Sequence, residues 1–320
     1  MQIMLILLSL IVVLPVHANT DSQSKNTVFT GYRSASHALL AKNNKIAAGD
    51  GFGSDTLISA IEENQHLTVQ ALLNTGINVN ARDEDGISAL MVAALSGNTA
   101  TLRTVLSHGG DVHARDNEDS TPLMMAALFG HPAAVQILLA HGAGINAKDR
   151  SGNTALMMAV SSGHMPTVRV LLDKGADVNS RNNRGQTALI SAAEKNYTDI
   201  VQALLANGVM VNGKDNDGDT ALIWAALLGH TDLVKVLLDN GADVNIKNAN
   251  GVSALMAAAS FDHYDTVKVL LAHGAEISAK DKDGNTALTL AAALGYTATV
   301  EAIREKANPF PFLGQYSFAK

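Results

Sequence analysis

The chain's eleven histidines are the first residues whose chemistry needs accounting for. His131, His164, His230 and His263 fall on one column of a 33-residue period, and His108, His141 and His273 on another. Imidazole is a common zinc ligand, but zinc holds its nitrogen ligands at about 2.1 Å from one ion. Residues one repeat apart sit on stacked helices about 8–10 Å from each other. Same-column histidines therefore cannot chelate together and are expected to be consensus polar residues. No His-Glu-x-x-His pattern occurs. With no cysteine in the chain, thiol nucleophiles, thiolate zinc sites, iron–sulfur clusters, disulfides and a lipoprotein anchor are all excluded.

Asp215-Asn216-Asp217-Gly218-Asp219 resembles the opening of a calcium loop, but it lacks the glycine after the third acid and the closing glutamate. Met91, Met124, Met157 and Met256 form another column, and thioethers are soft ligands suited to copper. Their spacing again places them in a core. Gly49, Gly51 and Gly53 make a glycine-rich turn, but no strand precedes it and no Gly-Lys-Ser/Thr follows, so a phosphate cradle is not expected. No Ser/His/Asp set stands apart from the repeat columns. The expectation is no catalytic residue, no metal and no cofactor.

The elements behind these columns follow from the period. Asp83 opens DEDGISALMVAALSGN, Asp116 opens DNEDSTPLMMAALFGH and Asp149 opens DRSGNTALMMAVSSGH. Asn182, Asp215, Asn248 and Asp281 open four more copies without insertion. The fourth-position glycine (Gly86 and its equivalents) suits a tight turn at positive φ. The sixth-position Ser or Thr, from Ser88 to Thr286, is placed to cap a helix N-terminus. That short helix ends at Gly97, Gly130, Gly163, Gly229 or Gly295, with Asn196 and Asp262 filling the same slot. A second helix carries Val and Leu at helical spacing and stops at another glycine, Gly76 through Gly274. The unit is a turn plus two antiparallel helices.

These motifs resemble the ankyrin repeat family, in the pattern D-x-x-G-x-T-x-L-x-x-A-A-x-x-G-H followed by LL-x-x-G-A-D-V-N. The resemblance implies an all-α ankyrin-repeat solenoid of helix–turn–helix units with β-turn or hairpin tips. The family's Thr-Pro-Leu-His becomes TALM, TALI or TALT here, with the proline kept only at Pro122. The family's usual histidine network between neighbouring repeats is therefore expected to be absent, and methionine to replace it with apolar packing. Asp119 stands where glycine is expected, so its turn should be strained.

The expected organisation begins with a signal peptide over 1–18, from the apolar run Ile3 to Val16 and the small-residue end at Ala18. No Lys or Arg precedes that run, a departure from the usual signal. A polar linker over 19–32 and an N-terminal capping helix over 33–49 follow. Eight repeats are expected over 50–313, at 50–82, 83–115, 116–148, 149–181, 182–214, 215–247, 248–280 and 281–313. A tail over 314–320 closes the chain, and four aromatics (Phe310, Phe312, Tyr316, Phe318) crowd its last residues. The localisation expected is periplasmic or secreted, with no membrane span in the mature chain.

Composition agrees with packed helices. Of 320 residues, 47% are apolar and only 4% aromatic, and the net charge is −7. Such a charge disfavours nucleic acid, whose binders carry a basic face. A solenoid offers an extended concave surface, which the resemblance places on turn tips and first helices. Leu95, Leu128 and Phe129 form one apolar group there, and Trp224, Leu227, Leu228, Phe261 and Leu294 a second. The turn tips are mostly acidic (Glu84, Asp85, Glu118, Asp217, Asp219, Asp283), with Arg150 and Arg184 interrupting. The expected function is non-enzymatic binding of another protein. Similarity to exported bacterial ankyrin proteins implies support of a periplasmic catalase or peroxide-stress system. The alternatives are a secreted effector acting on a host protein and, from a different class, a metal-binding or oxidant-scavenging protein.

Overall fold

The computed structural model describes residues 54–308. The expected signal peptide, linker and capping helix, the glycine-rich turn and the aromatic tail lie outside the described residues. Within them the chain forms sixteen helices in eight antiparallel pairs. The pairs are α1 Ser54–Glu62 with α2 His66–Asn74, α3 Ala89–Ser96 with α4 Thr99–Ser107, and α5 Pro122–Leu128 with α6 Pro132–Ala140. Next come α7 Ala155–Ser161 with α8 Met165–Asp173, α9 Ala188–Glu194 with α10 Thr198–Ala206, and α11 Ala221–Leu227 with α12 Thr231–Asp239. The last are α13 Ala254–Ser260 with α14 Tyr264–Ala272, and α15 Ala287–Leu294 with α16 Thr297–Ala307. No strand forms among the described residues, but isolated bridges Arg82–Ser88 and Lys247–Ser253 mark hairpin-like turn tips.

Each first helix from α3 onward starts where its cap residue dictates. The hydroxyls of Ser88, Thr121, Thr154, Thr187, Thr220, Ser253 and Thr286 accept from the amide three residues on, at 3.2–3.4 Å. Such helices, of seven or eight residues, are too short to persist alone. Burial holds them. Val105, Leu138, Leu171, Leu204, Leu237, Leu270 and Ile303, one column of the second helices, are all fully buried. Each such side chain stabilises the stack by about 1.5–3 kcal/mol relative to exposure. The Met column is core as well: Met91, Met124, Met157 and Met256 are buried.

The pairs are stitched along one edge. From the third copy on, the tip amide of each copy donates to the tip carbonyl of the copy before it, as in Asn117 to Asp85 at 3.0 Å and Ala249 to Asp217 at 2.8 Å. Behind the tips, Asn80, Asn146, Asn179, Asn212 and Asn245 each accept the loop amide of the next copy at 2.8–2.9 Å. Neighbouring first helices pack more closely than neighbouring second helices, so the stack curves toward the first helices and the tips. Asp119 takes φ +62°, and Asn196 (+59°) and Asp262 (+56°) follow it into the left-handed region that glycine occupies in the other copies.

Histidines do bridge neighbouring units, on a column other than that of the Thr-Pro-Leu-His motif. His131, His164 and His263 donate Nε2–H to the carbonyls of Leu95, Leu128 and Leu227, 36 residues earlier, at 2.8, 3.1 and 3.0 Å. They lock the third, fourth and seventh helix pairs to the pairs before them. The reason is steric. Glycine at the end of the preceding first helix leaves a slot for the ring, and a Cβ at Gly97 would stand 2.4 Å from His131 Nδ1.

Candidate functional site

The concave face gathers the two apolar groups, but not equally. In the first, Leu95 is half-buried and packs against the core, and Leu128 and Phe129 are half-buried. In the second, Leu228 at the end of α11 is 40% exposed and Phe261 at the end of α13 is 44% exposed. These are the two most exposed of the eight residues singled out by sequence. Leu227 and Leu294 are half-buried beside them. Trp224, one turn before Leu228, is half-buried and packs against the core.

The second group is held in place by polar contacts that its side chains alone do not reveal. Trp224 Nε1 donates to Asp215 Oδ2 at 3.4 Å, tying the indole to the base of its own turn tip. The other oxygen of Asp215 accepts the amides of Asp217 at 3.0 Å and Asp219 at 2.8 Å. The calcium-like run is thus a turn closed by its first carboxylate, and Asp219 accepts from the side chain of Asn248 at 2.8 Å. Burial raises the carboxyl of Asp215 above its ordinary pKa, against the opposing pull of the Asp219 amide, the indole and the Asp217 amide. Asp116, at the same place three repeats earlier, is raised by burial too. Phe261 stacks on His263, ring centroids 6.3 Å apart, and His263 is bonded to the Leu227 carbonyl. The exposed phenyl and the leucines of the preceding unit therefore keep a fixed relation. Fixed apolar anchors lose little freedom on binding.

Between the two groups the face is polar. Ser161 and Ser162 are half-buried, and Glu194 and Lys195 form an ion pair at 2.9 Å with side chains only 17% and 29% exposed. At the tips, Glu118 pairs with Arg150 at 3.3 Å. Sequence reasoning identified the Trp and the leucines by column. It did not identify the His263–Leu227 lock, for which the available signal was the pairing of His131, His164 and His263 with a glycine 34 residues before.

Elsewhere the surface offers little for small-molecule chemistry. Two shallow, open concavities lie on the outer helices, one around Arg103, Gln136 and His141, the other around Asp232, Lys235 and Lys268. Among the described residues no three His, Asp or Glu side chains gather as metal ligands. None of the described helices is long and apolar enough to cross a membrane.

The sequence matches the family model for ankyrin repeats (3 copies) four times, over residues 27–116, 105–182, 179–248 and 241–310. Among solved structures, the human ASB11 ankyrin repeat domain is similar at 28% identity and a TM-score of 0.62, covering 69% of this chain and 98% of that one. The ankyrin repeat domain of Bcl-3, described as a unique member of the IkappaB protein family, is similar at 30% identity and a TM-score of 0.62, covering 69% of this chain and 100% of that one. No curated protein matches the sequence.

Proposed function

The chain belongs to the ankyrin-repeat family, whose domains are protein-interaction modules without enzymatic activity of their own, and from that premise we propose that its concave face binds a protein partner outside the cytoplasm. The observation that carries this reading is the second apolar group. Leu228 and Phe261 stand 40% and 44% exposed, the most open of the large apolar residues on this face, and both belong to one locked cluster with Trp224 and Leu227. Exposed apolar clusters on stable folds mark interaction sites, and Trp is enriched among the residues that dominate binding. The tip acids Asp217, Asp219 and Asp283 beside this cluster favour a partner with basic groups near its apolar anchor.

Export rests on the apolar run Ile3 to Val16 and the small-residue end at Ala18. Support of a periplasmic catalase or peroxide-stress system is the role we propose for the exported protein. A secreted effector acting on a host protein is the second reading, resting on the same export signal. The test is a photo-crosslinking residue at Phe129 or at Leu228, with Lys235 on the outer helix α12 as control, in the native host. One recurrent adduct from a concave position and none from Lys235 supports the reading. Adducts from Lys235 alone, or from no position, reject it. The identity of the adduct separates a catalase from a host protein.

A further inference from the structure

From the second helix pair onward neighbouring pairs are fastened at the tip edge, and all joints but one are fastened again at the far end, where the first helix turns into the second. At the far end the fastening is a ring or a side-chain bond. His131, His164 and His263 lie in slots above Gly97, Gly130 and Gly229 and donate to the preceding carbonyl. Tyr197 fills the slot above Gly163, where a Cβ would stand 2.9 Å from its ring. Where the glycine is replaced, two joints use the new side chain instead. Asn98 bonds to Asn64, and Thr299 Oγ1 donates to Asp262 Oδ1 at 2.7 Å.

The joint between the fifth pair (α9, α10) and the sixth (α11, α12) has neither device. Asn196 occupies the glycine position at φ +59°. At the three histidine joints a Cβ there would fall 2.4–2.6 Å from the imidazole, so beside Asn196 the ring must sit differently from the other three. His230 Nε2 is buried and closes no well-formed hydrogen bond, although the Glu194 carbonyl, the counterpart of the Leu95, Leu128 and Leu227 carbonyls, lies beside the ring. The Glu194 side chain is paired with Lys195. A separate observation agrees: α10 and α12 are the least closely packed neighbours among the second helices. The tip edge of this joint is intact, with Asn216 N donating to the Arg184 carbonyl at 3.0 Å and Asn216 Nδ2 to the Asn183 carbonyl at 2.9 Å.

We propose that the solenoid is jointed between α10 and α11, its two arms opening at the far end and turning about the hydrogen-bonded tip edge. The joint falls between the two apolar groups. Leu95, Leu128 and Phe129 ride on one arm, and Trp224, Leu227, Leu228, Phe261 and Leu294 on the other. Its movement changes the spacing between them, so a partner touching both groups would fix the angle. The joint stands on packing alone and holds whether or not the partner reading does.

Hydrogen exchange of the full chain tests it. The amides of α10 should exchange about fivefold or more faster than those of α8 and α14, whose joints are fastened. Asn196→Gly opens the slot, lets His230 close a well-formed hydrogen bond to the Glu194 carbonyl and should slow α10 exchange about fivefold. Glycine also suits this backbone conformation for its own reasons, so the double variant Asn196→Gly with His230→Ala separates the two effects. Loss of the slowing in the double variant supports the joint as described. Equal exchange across α8, α10 and α14, or slowing that survives His230→Ala, overturns it.

Discussion

His263 donates its Nε2–H to the carbonyl of Leu227, in the preceding helix pair, at 3.0 Å, while its ring lies against Phe261. One side chain thereby joins two units of the stack and orients an exposed phenyl. His263→Ala should lower stability by about 1–2 kcal/mol, the cost of leaving a part-buried carbonyl unpaired. Urea titration measures it. An unchanged midpoint would show that the bond contributes nothing. Gly229→Ala should cost more, because the new methyl meets the ring at 2.5 Å and the backbone sits at φ +71°.

Asp119 predicts the opposite sign. Its φ of +62° is carried by a residue with a Cβ where the other tips use glycine. Its amide bond to the Asp116 carbonyl (3.1 Å) and its carbonyl's bond from Arg115 (2.9 Å) are backbone contacts that glycine retains. Asp119→Gly should therefore raise stability by up to about 1 kcal/mol. A thermal midpoint that falls would contradict the strain.

The repeat, its caps and its core column were legible in the sequence because each rests on one local rule at a fixed spacing. Ser88 through Thr286 cap helices, Val105 through Ile303 are buried, and neither depends on a neighbour's identity. The eight concave residues were also named by column, but column does not fix exposure. Leu95 and Trp224 pack against the core while Leu228 and Phe261 stand out, which depends on the residues in adjacent units. The histidine locks were hidden for a similar reason. His131 alone is a polar residue at a turn, and its bond exists only because Gly97 leaves a slot 34 residues earlier.

His230 gives the pH dependence. Burial is the main cause that lowers its pKa below the ordinary value, with the charge of His263 adding to it, while the Glu194 carbonyl opposes. Glu194 and Lys195 flank it as a closed ion pair. The folded state thus binds a proton here less readily than the unfolded chain. Stability from this residue is present above the unfolded pKa of about 6.5 and is lost as pH falls below it toward the folded value. Denaturation midpoints at pH 7.5 and 5.5 should differ more for the wild type than for His230→Gln. An equal difference would remove His230 as the cause. Asp116 and Asp215, with raised pKa values, act in the opposite sense: the stability they add is complete below their ordinary value near 3.8 and fades as pH rises through their folded values.

Oxidant scavenging is testable on the methionines. Met91, Met124, Met157 and Met256 are buried, while Met210 is 64% exposed in a loop position. Dilute peroxide followed by peptide mass spectrometry should convert Met210 first, with the four core methionines protected until the protein unfolds. Rapid oxidation of the core column in the folded protein would favour a scavenging role.

The account's central claim is that the concave face, through its locked second apolar group, carries the binding. The most direct measurement is calorimetric titration of the purified crosslinked partner against the wild type, Leu228→Ser with Phe261→Ser, and Lys235→Ser on the outer face. The account predicts at least about a tenfold loss of affinity for the concave pair, on the scale of two truncated anchor residues, with Lys235→Ser unchanged. Equal affinities for all three proteins, or a loss confined to Lys235→Ser, would contradict it.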